Sequence, residues 1–360
     1  MAAIATNAFV LGALITSSPE LSEVQRRRAS NARAAFAAAV QDPLLKDPFQ
    51  SPLELACLIV AEERCADPFL RPSHVAEGIR SSVEQIITPA SKRITLSRQI
   101  AEVGSEAIAT AVTNTLFGSH GSPDDEDAGA FFALESNTES DELLYLDTVL
   151  ARRRGVPLAT SLIACEACAQ LGLPMVGLRS PTALLLAPAD GTPFVLDCFS
   201  GGGIRSDDDA AAALSERLAG DLPVTGSALP QASSPTPAGG QRQLAAMRRA
   251  PMTALQWGAE VLRALKEVHE ESGDVVRLLG ACDRLRMIGA HSRLAVSNDE
   301  MRECSGQLAL CIHRLGWVQR RNEARALLHG VLRSHDEMGN DPGEPARVQS
   351  LLDDPWFAEA

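Results

Sequence analysis

The sequence is poor in aromatic residues and in positive charge. Among 360 residues, aromatics make up 4%, and Tyr145 is the single tyrosine. Lys and Arg number 33 against 46 Asp and Glu, so the formal net charge is −13. A chain this acidic lacks the electrostatic surface that wraps nucleic acid or anionic lipid. We therefore predict that nucleic acid is not a partner.

Long hydrophobic runs are also missing. The longest apolar stretch near the start, Phe9 to Ile15, is far shorter than the roughly 20 residues that span a bilayer, so we predict no membrane span. Eight cysteines are irregularly spaced, which disfavours a secreted disulfide framework and favours reduced thiols inside the cell. We expect a cytoplasmic protein. The alternative is a chloroplast or other organelle, with residues 1–29 as a transit peptide that is poor in acidic residues.

Five regions follow from changes in composition along the chain. The first is the N-terminal extension, residues 1–29. Residues 30–140 are predicted to be helical and to end in an acidic loop. Residues 141–220 alternate two helices with short apolar strands, which is typical of an α+β unit with a small antiparallel sheet. Residues 221–241 are rich in Pro, Gly and Ser and read as a flexible linker. Residues 242–360 are predicted to form helical hairpins resembling tetratricopeptide repeats.

The individual elements can be placed from hydrophobic periodicity. A helix is predicted to start at Ser73, and another is predicted to run from about Ser91 to Leu116. The strands are predicted at 174–178, 184–187 and 194–198, and the C-terminal helices at 252–271, 274–289, 298–315 and 318–334. The fold class is therefore mostly helical α+β.

Two clusters raise the question of a metal or cofactor. Asp124 to Asp127 are four adjacent acidic residues, but a cation loop spaces its ligands, so a solvated loop is favoured. Cys165 and Cys168 form a C-x-x-C pattern inside a predicted helix, where small packed residues are a better reading than a zinc or redox pair. We predict neither a metal nor a cofactor.

The sharpest pattern begins at Val149 and reads V-L-A-R-R-R-G-V-P-L. It continues with L-G-L-P-M-V-G from Leu171 and F-V-L-D from Phe194. These segments resemble the SirB family, whose proteins join a transglutaminase-like domain to tetratricopeptide-like helices. The resemblance implies comparison with transglutaminase-like enzymes, which use a Cys-His-Asp site where a helix N-terminus lowers the thiol pKa, although the SirB family itself generally lacks that cysteine. On this pattern Pro157 stands near the cysteine position, Ala183 stands at the histidine position, and only Asp197 is retained.

The sequence has no histidine between His120 and His269. A cysteine mechanism would have to take its general base from another region, and without a base the thiolate fraction at neutral pH is small. We therefore assign no catalytic residue. The alternative is an atypical thiol hydrolase or acyltransferase that uses Cys198 or Cys165 with an imported histidine.

Five residues remain as structural or interaction candidates. Arg153 or Arg154 is expected to form a structural pair with the Asp197 carboxylate, or else a local anion site. Arg152 and Arg179 are further cations for that carboxylate, and the backbone N–H groups near Gly155 to Leu158 are the alternative donors to it. Gly155 is explained by a close approach of the backbone, which glycine permits. Pro157 is explained by the start of a helix, for which proline has the right backbone angle. The function predicted is a non-catalytic scaffold that binds a protein partner, rather than an enzyme.

Overall fold

The computed structural model describes most of the chain. The described residues are 23–48, 52–53, 55–56, 59, 72–98, 104–118, 133–134, 141–180, 183–198, 202–220, 237–338 and 343–358. The acidic run at 124–127, two of the cysteines (57 and 65) and residues 1–22 lie outside them. Residues 23–29, assigned to the extension, belong to the first helix. Within the described ranges, no helix is long and apolar enough to cross a membrane.

The structure is mostly helical with a small antiparallel sheet, which confirms the predicted α+β class. The helices are α1 (Glu23–Gln41), α2 (Pro72–Arg98), α3 (Ser105–Phe117), α4 (Leu146–Arg152), α5 (Pro157–Gln170), α6 (Asp207–Gly220), α7 (Pro237–Arg249), α8 (Ala254–Ser272), α9 (Val275–His291), α10 (Asn298–Arg314), α11 (Arg321–Met338), α12 (Gly343–Leu352) and α13 (Pro355–Ala358). The strands are β1 (Ala133–Leu134), β2 (Arg154–Gly155), β3 (Met175–Ser180), β4 (Ala183–Pro188), β5 (Phe194–Asp197) and β6 (Gly203–Ser206).

The main sheet has the order β3-β4-β5-β6, and every neighbouring pair is antiparallel. Side chains alternate between its two faces, as strand geometry requires. In β5, Phe194 and Leu196 join the principal core with α5, whereas Val195 joins a second cluster with α6 and α7. Both faces of the sheet are therefore covered by helices. This explains why the strands read as short apolar runs.

Four consecutive helices, α8 to α11, form the C-terminal array, close to their predicted bounds. Their ends carry local signals. Thr253 begins α8 with a capping box, and the side chains of Asp274 and Ser297 cap α9 and α10. Gly273 ends α8 at φ 71°, a left-handed conformation that favours glycine. Neighbours in sequence pack against one another along the array.

Two predicted boundaries differ from the structure. The helix predicted from Ser91 to Leu116 is in fact the end of α2 followed by a separate α3, which begins after Gly104. Residues 237–241, assigned to the linker, form the first turn of α7. A Cβ at Gly240 would stand 1.8 Å from the carbonyl oxygen of Ala211, so this glycine lets α7 lie directly on α6. The rest of the linker, 221–236, lies outside the described residues.

One hydrophobic core joins the N-terminal helices, the sheet and the C-terminal array. A Cβ at Gly177 in β3 would stand 2.6 Å from the ring of Trp257 in α8, and the Met252 amide donates to the Gly177 carbonyl at 2.8 Å. At the other end, Arg33 of α1 forms a buried ion pair with Asp283 of α9. The predicted regions are therefore not separate packing units.

Candidate functional site

The start of α5 is held by a tight connection from α4. Arg153 adopts φ 55°, the left-handed conformation that side chains disfavour, and it closes the end of α4. A Cβ at Gly155 would stand 2.6 Å from Val149, so only glycine fits there without a shift. Val156 is extended, and Pro157 opens the helix at its first turn. The local sequence is thus explained by the backbone it must form.

Asp197 ends β5 and is buried. Its carbonyl accepts the Gly202 amide at 3.0 Å, which closes the turn into β6. Its carboxylate forms an ion pair with Arg205, with Nε and Oδ2 3.4 Å apart. The Asp197 side chain is 2% exposed and that of Arg205 is 33% exposed. The pair thus joins a buried carboxylate to a partly hydrated guanidinium.

Arg205 was not among the cations proposed from the sequence. Arg152 pairs with Glu142, and Arg179 pairs with Glu260. The side chains of Arg153 and Arg154 are exposed. In the register of the hairpin, Asp197 faces Gly203, so Arg205 is its diagonal neighbour, within reach of a long side chain.

Three cysteines lie on the elements that frame the candidate site: Cys165 and Cys168 are on α5, and Cys198 directly follows β5. All three thiols are buried. Burial raises the pKa of Cys198 to about 12, against a smaller lowering by its hydrogen bond with Ser161. Burial likewise raises the pKa of Cys168 to about 12, with a further contribution from Cys198. The pKa of Cys165 is raised well above its usual value for the same first cause. None of these sulfurs is a thiolate near neutral pH.

The hydroxyls at the start of α5 are used within the helix. Ser161 donates to the Pro157 carbonyl at 2.7 Å, and Thr160 donates to the same oxygen at 3.2 Å. Within the described part of the chain, no three His, Cys, Asp or Glu side chains are placed to hold a metal ion. The C-x-x-C pair lies in the middle of α5 rather than at its N-terminus.

His269 is the first histidine after the sheet in the sequence, and it is buried in α8. Trp257, which contacts the sheet at Gly177, lies near the other end of the same helix. The rise per residue places His269 about 18 Å further along the helix axis than Trp257. Helix α8 therefore places the His269 imidazole well away from the point where the helix contacts the sheet.

Residues 77–236 match the model of the transglutaminase-like superfamily. The match begins within α2 and ends just before α7, so it includes the whole sheet and the predicted core at 141–220. The chain therefore carries a transglutaminase-like domain over these residues. No curated protein and no solved structure matches the chain.

Proposed function

We propose that this protein is a non-catalytic scaffold that binds other proteins. Its centre is a degenerate transglutaminase-like domain of the SirB type, and tetratricopeptide-like helices follow it. The reading of residues 149–197 as a SirB-type segment supports this assignment, as does the array of paired helices from α8 to α11.

The observation that carries the proposal is the state of the thiols around Asp197. A thiol with a pKa of about 12, as for Cys168 and Cys198, is ionised in only about one molecule in 10⁵ at pH 7. A catalytic thiol needs the reverse: access to substrate and a pKa lowered by a helix N-terminus or a neighbouring cation. The three sulfurs have neither property.

The positions that correspond to the catalytic residues of transglutaminase-like enzymes support the same conclusion. Pro157 begins α5 where a nucleophilic thiol would gain from the helix dipole, and proline has no nucleophile to offer. Ala183 begins β4 where the general base would stand. Asp197 has an arginine beside it and forms an ion pair with that group.

The cysteines also bear on the compartment in which the protein works. The six cysteines among the described residues are free and buried, which fits a reducing intracellular environment. We place the protein in the cytoplasm, with an organelle as the alternative.

The experiment is labelling of the native protein with a fluorescent thiol-reactive activity probe, beside a denatured sample that reports all eight cysteines. At pH 7 we expect negligible labelling of Cys165, Cys168 and Cys198 in the native protein, and no hydrolysis of activated esters. Cys198→Ser should label like the unaltered chain. Rapid stoichiometric labelling of one cysteine, lost on substituting His269, would establish the alternative thiol enzyme and refute the scaffold.

A further inference from the structure

A groove of about 410 Å³ lies on the C-terminal array between α9, α10 and α11. Its lining includes Arg286, Arg293 and Arg302, and none of the described residues that line it is an aspartate or a glutamate. In a chain with a net charge of −13, this is a local concentration of positive charge. The groove lies outside the transglutaminase-like domain at 77–236.

One guanidinium nitrogen of the lining, the Nε of Arg286, is buried and has no hydrogen-bond partner among the described residues. Burial lowers the pKa of Arg286, and the Glu323 carboxylate offsets part of that shift, so a further anion would relieve what remains of the penalty. Arg293 is exposed, and its guanidinium donates to the side-chain oxygen of Asn298. Arg302 pairs with Asp299 at 3.2 Å; the Arg302 side chain is 12% exposed and that of Asp299 is 64% exposed, so only the carboxylate end of the pair faces water.

The shape of the groove suits an extended chain. On its α11 side the small lining residues Ala326, Gly330 and Ser334 recur about once per turn, with Leu327 and Val331 beside them. A Cβ added at Gly330 would meet nothing within 4 Å, so the groove is open at this point. Two helical turns extend about 12 Å, which is the length of roughly four residues in an extended strand.

We propose that this groove binds an acidic peptide segment of a partner protein. Arg286 lies within α9, which ends at His291, and Arg293 lies beyond that end, so the two cations come from different parts of the lining, which suits successive carboxylates better than one compact phosphate. Guanidinium groups bind carboxylates through paired charge-assisted hydrogen bonds. The inference rests on the proposed function, because it names the partner class of the scaffold.

The test is fluorescence anisotropy of the full chain with a labelled peptide of about ten residues rich in Asp and Glu. We expect binding that weakens as salt is added, and no binding of a peptide with Lys in place of the acids. Gly330→Leu fills the groove and Arg293→Glu reverses a charge at it. Each should weaken binding by about tenfold or more.

Two variants serve as matched controls. Gly306→Leu adds the same side chain at another open helical position, outside the groove lining, and Arg325→Glu reverses an exposed charge on α11 that does not line the groove. Both should bind the peptide like the unaltered chain, and thermal melts should show that all four variants fold.

Four outcomes would overturn the inference: no peptide binding, equal binding of the Lys peptide, binding of a phosphoserine peptide only, or equal losses in the controls. The thiol-labelling experiment tests the proposed function separately from the groove. If the thiols stay unlabelled while the acidic peptide does not bind, only the groove assignment is wrong. If one thiol labels rapidly and the labelling is lost on substituting His269, the scaffold proposal is wrong whatever the peptide does.

Discussion

Substitutions at the two ends of the Asp197–Arg205 pair should destabilise the protein unequally. The Asp197 side chain is 2% exposed, whereas that of Arg205 is 33% exposed. Arg205→Met removes the cation from beside a carboxylate that water hardly reaches. Asp197→Asn keeps the shape and the hydrogen-bonding oxygen, and it leaves a guanidinium whose Nε is buried but whose side chain is partly exposed to water. The first change should therefore be the more costly one.

The magnitudes follow from these exposures. Removing one partner of a fully buried pair costs about 3–5 kcal/mol, and partial hydration of Arg205 puts this pair at the lower end. We expect a loss of about 3 kcal/mol in the free energy of unfolding for Arg205→Met and about 1 kcal/mol for Asp197→Asn. The double variant should be less destabilised than the sum, by about 1 kcal/mol.

Urea denaturation followed by circular dichroism measures these differences. Arg152→Met is the control, because Arg152 and its partner Glu142 have side chains 56% and 40% exposed, and such surface pairs contribute about 0–1 kcal/mol. If Arg205→Met is as stable as the control, the pair does not stabilise the fold. If Asp197→Asn costs more than Arg205→Met, the burial argument is wrong.

Three further predictions concern packing and the thiols. Gly177→Ala should cost about 2 kcal/mol because its Cβ would stand 2.6 Å from Trp257, whereas Gly239→Ala, with nothing within 4 Å, should cost nothing in the same urea titration. Pro157→Cys should give a thiol at the helix start that iodoacetamide labels about a hundredfold faster than Cys198 at pH 7, and equal rates would show that this helix end does not activate a thiol. Burial raises the pKa of Cys198 from 9.0 to about 12, so the neutral thiol is favoured in the folded state. The stability it contributes should be complete below pH 9 and be lost between pH 9 and 12, and Cys198→Ala should show a smaller alkaline loss of the denaturation midpoint.

The helices of the C-terminal array were predictable because their signals are local. Apolar residues recur at helical spacing, and Thr253, Asp274 and Ser297 mark the starts with capping side chains. β6 was missed because Gly203–Ser206 has neither an apolar run nor clear alternation, and it exists through its pairing with β5. The start of α7 was missed because a glycine such as Gly240 is typical of a linker. Its close approach to Ala211 of α6 cannot be seen in the sequence.

The candidate site also has one part that the sequence indicated and one part that it did not. The need for glycine at 155 and proline at 157 is a property of one turn, so the sequence indicated it directly. The partner of Asp197 depends on the register of a hairpin. That hairpin turns at Gly202, where φ is 78° and an added Cβ would lie 2.0 Å from Phe117 of α3. No short-range pattern reports such a contact, so Arg205 was not considered.

The buried pair between Arg33 and Asp283 has a consequence for biosynthesis. The two residues are about 250 positions apart. At 5–20 residues per second, the ribosome needs on the order of 10–50 s to supply the carboxylate after the arginine has been made. During that time α1 lacks its ion-pair partner, because α9 does not yet exist. A message that ends before residue 283 would therefore yield a chain in which Arg33 never meets this carboxylate.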